Sequence, residues 1–108
     1  IPTHEEGGYT LRFTGLVKYD NETGKCWRYD YGSGVFGSEA VYAPKAGATR
    51  HAEEDDGYVV NFVHDSTDWT SWFCVFDAQN IEQGPIAKVR LPGRVPAGFH
   101  ATWAPAAP

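Results

Sequence analysis

The sequence has no methionine, only two cysteines and few basic residues. No stretch approaches the run of about 18 apolar residues that a membrane-spanning helix needs, and membrane contact through an apolar patch is not evident. Two cysteines are too few for a disulfide scaffold, which favours a reducing, cytoplasmic location. Lys and Arg number 9 against 14 Asp and Glu, a formal net charge of −5. Because proteins that bind phosphate backbones usually carry a basic face, we expect no nucleic-acid partner.

The composition is that of a folded domain with little helix. Of the 108 residues, 42% are hydrophobic and 15% are aromatic, which is too apolar for a disordered chain. The 12 glycines and 7 prolines are many for a helical protein. Several windows alternate with the period of a half-buried strand, and none carries a long helical period. The sequence therefore predicts an all-β fold. Since the chain starts at Ile1 and lacks methionine, we also expect a processed chain or part of a longer one.

The strand pattern recurs along the chain and is interrupted by turn residues. The predicted strands are Tyr9–Phe13 continued through a bulge at Gly15 into Leu16–Tyr19, then Cys26–Tyr31, Glu39–Ala43, Tyr58–Val63, Ser71–Phe76 and Ile86–Leu91. Residues 20–24 and 65–68 have hairpin-turn chemistry. The glycines between residues 32 and 37 predict a flexible corner, and residues 79–81 predict a single helical turn.

A weak internal repeat adds to this picture. The segment Leu16–Asp20, a turn and an aromatic-rich strand recur as Asn61–Asp65, a turn and an aromatic-rich strand, with the two aspartates 45 residues apart. Four short strands in about 40–50 residues is the spacing of β-propeller blades. A small sandwich or barrel built from meanders has similar spacing, so the pattern alone leaves propeller and sandwich equally open.

Most residues that could carry chemistry have a simple structural interpretation. His4, His51 and His64 match no local metal-binding spacing, and we interpret them as surface residues. The acidic run Glu53–Asp56 lacks the pattern of a calcium loop and is interpreted as a solvated loop.

The two cysteines do not form part of a recognisable catalytic arrangement. Cys26 and Cys74 lie in apolar strands, and we expect both to be reduced and buried.

The fourth histidine, His100, has an unusual setting. It follows Gly98 and Phe99 in an extended tail between Pro96 and Trp103. A glycine two positions earlier allows close backbone approach to another group, which makes His100 the best candidate for a functional histidine.

Several motifs occur together from about residue 9 onward. They are Ser38–Pro44, Glu54–Val63, Phe76–Ala78, Val89–Pro92 and Val95–Trp103, preceded by the strand and turn Leu16–Gly24. In this order and spacing they resemble the C-terminal region of the carotenoid cleavage oxygenases. The acidic-glycine motif and the ending Gly-Phe-His-Ala-Thr-Trp are the most specific parts of the resemblance.

The resemblance implies a seven-bladed β-propeller with a non-haem Fe(II) on its axis, held by four histidines. The family cleaves a carbon–carbon double bond of a carotenoid, apocarotenoid or stilbene with O2, so the partners are a small-molecule alkene and O2. His100 matches the last iron ligand, and Glu39 matches a carboxylate that hydrogen-bonds a ligand histidine. Neutral imidazole suits Fe(II), and a metal-bound imidazole normally donates its second N–H to a carboxylate.

On this interpretation residues 1–108 are the C-terminal part of a single propeller domain, and the remaining blades of the same enzyme are its partner. Those blades are expected to supply the other three iron histidines, because no other histidine here lies in a ligand context of the family. Ala40 departs from the family, since many relatives have proline after the glutamate.

The alternative is a small non-catalytic β-domain. It would bind a ligand or a protein partner through exposed aromatic residues, for which Trp27, Trp69 and Trp72 are the candidates.

Overall fold

The structure consists of antiparallel strands joined by short turns. The computed structural model describes residues 2–4, 11–47, 53–96, 98 and 100–106. The strands are β1 (Pro2–His4), β2 (Leu11–Phe13), β3 (Gly15–Tyr19), β4 (Cys26–Asp30), β5 (Val35–Gly37), β6 (Val41–Pro44), β7 (Gly57–Asp65), β8 (Thr70–Asp77) and β9 (Pro85–Arg90). Within these described ranges the helical structure is one 3₁₀ turn, Ile81–Gln83, close to the predicted helical turn. No helix in the described part of the chain has the length and apolar character to cross a membrane. The all-β prediction is confirmed.

In the described part of the chain the strands form two antiparallel sheets of unequal size. The larger sheet has seven strands, in which β5, β7, β8 and β9 lie side by side and β2 and β1 continue beyond β5. The strand β6 also pairs with β7, whereas β3 and β4 form a separate hairpin. The chain leaves the larger sheet at Thr14, and Gly15 is already the first residue of β3. The predicted bulge at Gly15, joining two parts of one strand, is therefore wrong.

The segment between residues 32 and 44 also differs from its prediction. Residues 35–37 form β5 rather than a corner, because β7 offers them an edge for pairing. The short strand predicted to start at Glu39 begins at Val41 and includes Pro44, which ends the pairing opposite Gly57. A proline is tolerated there because it lies at the end of the strand.

The two aspartates of the internal repeat have the same structural role. Asp20 Oδ1 accepts the N–H groups of Glu22 and Thr23 at 2.9 and 3.2 Å. Asp65 Oδ1 accepts the N–H and the hydroxyl of Thr67 at 2.9 and 2.6 Å. An aspartate that bonds the backbone ahead of it stabilises a chain reversal, which explains why the same residue type recurs at both turns.

The core lies between the β3–β4 hairpin and one face of the larger sheet. Strand alternation turns Val63, Cys74 and Phe76 toward this face, where they pack with Leu16 and Ile81. The partly buried side chains that surround this cluster are Trp27, Tyr29, Tyr31, Val35, Val59 and Trp72. Burial of this apolar surface holds the two sheets together.

One of the two cysteine predictions is wrong. Cys26 is exposed, because β4 alternates so that Trp27 and Tyr29 face the core and Cys26 faces solvent with Arg28. Cys74 is buried as predicted, and its burial raises the pKa of its thiol. Both cysteines are free.

Candidate metal-ligand site

A bulge of one extra residue separates β5 from β6. Both strands pair with the same edge of β7, but Gly37 lies opposite Val63 whereas Val41 lies opposite Val60. Residues 38–40 therefore face only two residues of β7. A bulge of this kind interrupts the ladder locally and redirects a side chain.

Ser38 maintains the pairing at the bulge with its side chain. Its N–H donates to the carbonyl of Phe62 at 2.8 Å, and its hydroxyl accepts the N–H of Phe62 at 3.0 Å. The hydroxyl thus takes the acceptor role that a backbone carbonyl has in a regular ladder. Glu39, the next residue, lies outside the ladder, and its side chain is free to contact the tail.

Glu39 contacts the tail at His100. Its Oε2 lies 3.1 Å from Nδ1 of His100 and 3.1 Å from the backbone nitrogen of Ala101. The Ala101 N–H donates to the carboxylate, and Nδ1 donates to the same oxygen when it carries the ring proton. The two side chains are 61 positions apart in the sequence, so this contact fastens the tail to the bulge. The histidine that Glu39 contacts is thus the one that the family resemblance matches to an iron ligand.

The pair has the chemistry of one metal ligand with its supporting carboxylate. The His100 side chain is 90% exposed and that of Glu39 is 41% exposed. With Nδ1 against the carboxylate, Nε2 is the ring nitrogen left to bind a metal. The carboxylate fixes the tautomer and the ring orientation and raises the basicity of the ligating nitrogen. These residues therefore fit one corner of a histidine-ligated iron site.

The described residues do not complete such a site. No group of three or more His, Cys, Asp or Glu side chains within them could hold a metal ion. An iron site that used His100 would need further ligands from outside the described residues.

His64 has a different hydrogen-bond partner within the described part of the chain. His64, interpreted from the sequence as a surface residue, is half-buried at the end of β7, and its Nδ1 lies 3.0 Å from the hydroxyl of Ser71. Burial lowers the pKa of His64, and the nearby positive charge of Arg94 lowers it further. His4 lies in β1. The prediction that His51 is a surface residue concerns a position outside the described residues.

A second set of contacts holds the tail nearer its start. Ser71 is 1% exposed; its carbonyl accepts the N–H of Leu91 at 2.9 Å, and its hydroxyl accepts the N–H of Val95 at 3.0 Å. The guanidinium of Arg94 lies 5.1 Å from the ring centre of Trp69, a distance at which a cation is attracted to an aromatic face. No sequence pattern marks Ser71, because a serine at the end of an apolar strand has no distinguishing periodicity.

The three tryptophans predicted for an aromatic binding surface differ in their burial. Trp27 and Trp72 pack against the core cluster. Trp69 alone of the three candidates is widely exposed, at 64%, and its backbone has a φ of 59°, in the left-handed region. Two of the three tryptophans are thus structural.

Sequence comparison relates the chain to a known family. Residues 2–105 match the family model described as RPE65, retinal pigment epithelial membrane protein. The carotenoid 9,10(9′,10′)-cleavage dioxygenase 1 of Arabidopsis thaliana is 44% identical over 105 residues, which covers 85% of this chain and 19% of that protein. The chain thus spans about a fifth of the length of this curated relative.

Solved structures relate the fold to β-propellers. The lignostilbene dioxygenase of Pseudomonas brassicacearum matches with a TM-score of 0.79 and 32% identity, over 88% of this chain and 19% of that chain. The cobalt-substituted Synechocystis apocarotenoid oxygenase matches with a TM-score of 0.78 and 26% identity, over 95% of this chain and 21% of that chain. Because these enzymes are seven-bladed propellers, the strands described above have the fold of part of a propeller and not of a sandwich.

Proposed function

Since this chain belongs to the RPE65 family of carotenoid- and stilbene-cleaving oxygenases, we propose that residues 1–108 are the C-terminal part of an Fe(II)-dependent dioxygenase. The reaction adds O2 across a carbon–carbon double bond and yields two carbonyl products, each of which carries one oxygen atom. The remaining blades belong to the same propeller and complete the site. The observation that carries the proposal is the contact between Glu39 and His100.

His100 is the residue of this chain that would ligate Fe(II), through Nε2. Bound in a neutral histidine set, Fe(II) would supply open coordination positions for O2 and the alkene. In the tautomer with the ring proton on Nδ1, Glu39 would accept that proton in a hydrogen bond and Nε2 would present its lone pair to the metal. Glu39 also accepts the Ala101 N–H, which holds the carboxylate beside the ring. The Synechocystis apocarotenoid oxygenase binds cobalt in its cobalt-substituted form, which supports a transition-metal site in the proposed enzyme.

A carotenoid is the substrate class that we favour. The plant carotenoid-cleaving relative is 44% identical to this chain, whereas the lignostilbene dioxygenase is 32% identical. A cytoplasmic location stays a prediction, which the two free cysteines support because structural disulfides are typical of oxidising compartments.

The test uses the full-length enzyme that contains these residues. Iron content is measured by elemental analysis, and O2 uptake and carbonyl products are measured with one carotenoid and one stilbene. We expect His100→Ala to lose iron and cleavage together, and we expect the control His51→Ala to retain both. Full iron content and full turnover in His100→Ala would contradict the proposal.

A further inference from the structure

The tail that carries His100 is fixed at two points. Glu39 holds it at His100 and Ala101. Ser71 holds it five residues earlier, where its buried hydroxyl accepts the N–H of Val95. Between these two points lies the short stretch that ends at the proposed metal ligand.

His64 contacts the hydroxyl that accepts the Val95 N–H. Its Nδ1 lies 3.0 Å from Ser71 Oγ, on the strand pair where His64 and Ser71 are directly opposite each other. A serine hydroxyl has one hydrogen to donate and can accept more than one bond. When the imidazole is neutral with its proton on Nε2, the hydroxyl donates to Nδ1 and directs a lone pair to the Val95 N–H. Burial and Arg94 lower the pKa of His64 and so favour this neutral form.

The surroundings of this contact favour a rigid tail. The carbonyl of Ser71 also accepts the Leu91 N–H. The backbone of this buried residue thus holds the start of the segment 91–95, and its side chain holds the end. Arg94 lies over the ring of Trp69, whose left-handed backbone is costly for a residue with a side chain. Strained residues of this kind often lie near functional sites.

The imidazole is also in contact with a cavity. A cavity of about 300 Å³ is lined by residues of the larger sheet and of the tail, including Phe36, His64, Ser71 and Val95. Nε2 of His64 is buried and has no hydrogen-bond partner within the described part of the chain. A buried polar atom without a partner lowers stability. The contact with Ser71 at Nδ1 therefore holds the imidazole at its other nitrogen.

We propose that Ser71 is a positioning residue for His100, and that His64 orients the Ser71 hydroxyl for this task. By fixing Val95, the hydroxyl limits the conformations of the tail before metal binds, so that less ordering is required when His100 ligates the ion. The inference rests on the proposed function, because it takes His100 to be a metal ligand.

The experiment measures Co(II) binding to the metal-free full-length protein by chelator competition, together with the visible absorption of bound Co(II) and the thermal midpoint of the metal-free form. We expect Ser71→Ala to weaken Co(II) binding roughly tenfold, the lower end of the effect of residues that orient metal ligands, and to change the absorption. Ser71→Thr keeps the hydroxyl and is expected to restore both. Ser66→Ala is the matched control, since the hydroxyl of Ser66 bonds the carbonyl of Gly34 and not the tail.

Val95→Pro provides an independent variant in case Ser71→Ala does not fold. It removes the N–H that Ser71 accepts, at a position outside any strand, and is also expected to weaken Co(II) binding. Wild-type affinity and absorption in Val95→Pro, or in Ser71→Ala with nothing but a lowered thermal midpoint, would overturn the inference. Failure of the proposed function has a different signature, namely wild-type Co(II) binding by His100→Ala.

Discussion

The hydroxyl of Tyr42 lies so close to Gly57 that a Cβ on the glycine would be 2.5 Å from the hydroxyl oxygen. The same Cβ would lie 2.7 Å from the backbone carbonyl of Ala43. A tyrosine side chain can rotate away, but a carbonyl in the β6–β7 pairing cannot move without disturbing the sheet. The glycine of the acidic-glycine motif is therefore required by the close packing of two strands.

We expect Gly57→Ala to lower the free energy of unfolding by about 1–3 kcal/mol, the usual cost of overpacking. Urea unfolding of the full-length protein measures this. Gly93→Ala is the control, because a Cβ there meets no atom within 4 Å. Equal unfolding midpoints for the two variants would show that β6 can shift away from β7.

The ion pair between Lys18 and Asp55 connects the hairpin to the loop before β7. The ammonium of Lys18 also donates to the carbonyl of Ala78 at 2.9 Å, and Gln79 donates to Asp55 at 3.2 Å. We expect Asp55→Asn to reduce stability by about 0.2–1 kcal/mol, the range for exposed pairs. The control is Asp30→Asn, whose pair with Arg28 lies within one strand and should contribute less.

This ion pair also has a defined pH dependence. The hydrogen bond from Lys18 lowers the pKa of Asp55 below its ordinary value of 3.8. A carboxylate whose folded pKa is lowered stabilises the fold fully above the unfolded pKa. The difference in stability between wild type and Asp55→Asn should therefore shrink as the pH falls below about 4. A constant difference down to pH 2 would contradict the assignment.

The two thiols should react at different rates. Cys26 is exposed, whereas Cys74 is buried and has a raised pKa, which disfavours the reactive thiolate. We expect a maleimide to modify Cys26 in the folded protein and Cys74 only after unfolding, as read by mass spectrometry. Protection of both thiols in the native protein would mean that another part of the enzyme covers the hairpin.

Replacing Glu39 by glutamine tests the charge of the supporting carboxylate. Glu39→Gln keeps a side-chain acceptor for His100 and Ala101 but removes the negative charge, so metal affinity should fall roughly 10–100-fold while the fold survives. The measurement is Co(II) or Fe(II) affinity alongside circular dichroism. Glu82→Gln, an exposed glutamate of the 3₁₀ turn, should have wild-type affinity. An unchanged affinity in Glu39→Gln would mean that the charge has no part in metal binding.

Protonation of His64 should lower the free energy of unfolding in mild acid. Its folded pKa is lowered from 6.5, so its contribution is present above that pH and is lost as the pH falls toward the folded pKa. The charged groups that line the same cavity are Arg12, Asp65 and Arg94. The free energies of unfolding of wild type and His64→Gln are compared between about pH 7.5 and about pH 5, on either side of the ordinary histidine pKa of about 6.5. As the pH falls, wild type should lose stability relative to the variant by at most about 1.4 kcal/mol per pH unit. Parallel curves would show that His64 titrates normally.

Local chemistry predicts most of the strands and turns of this chain. The hairpin turns at Asp20 and Asp65 follow from side chains that bond the backbone two residues ahead. The exposure of Cys26 can also be predicted from the sequence. Strict alternation places Cys26 on the same face as Arg28 and Asp30, and opposite to the face of Trp27. The prediction that Cys26 is buried was wrong because it relied on the apolar character of the strand and not on this alternation.

The remaining features depend on contacts between distant parts of the chain. Residues 35–37 become a strand because β7 lies beside them, although their glycine-rich context indicates a corner. Alternation within Gly15–Tyr19 cannot tell which sheet the strand joins. The contact between Glu39 and His100 was predictable through the family resemblance, whereas the Ser71 contact with Val95 had neither a motif nor a periodicity to indicate it.

The bulge between β5 and β6 limits where this protein can change its length. Deleting one residue from the segment 38–40 would remove the bulge, because two residues would then face two residues of β7 in a regular ladder. Glu39 would then lose the position outside the ladder from which its carboxylate contacts His100. An added residue in the exposed turn after Asp20 would only enlarge a solvent loop. Insertions and deletions among homologues should therefore accumulate at such turns and be absent from residues 38–40.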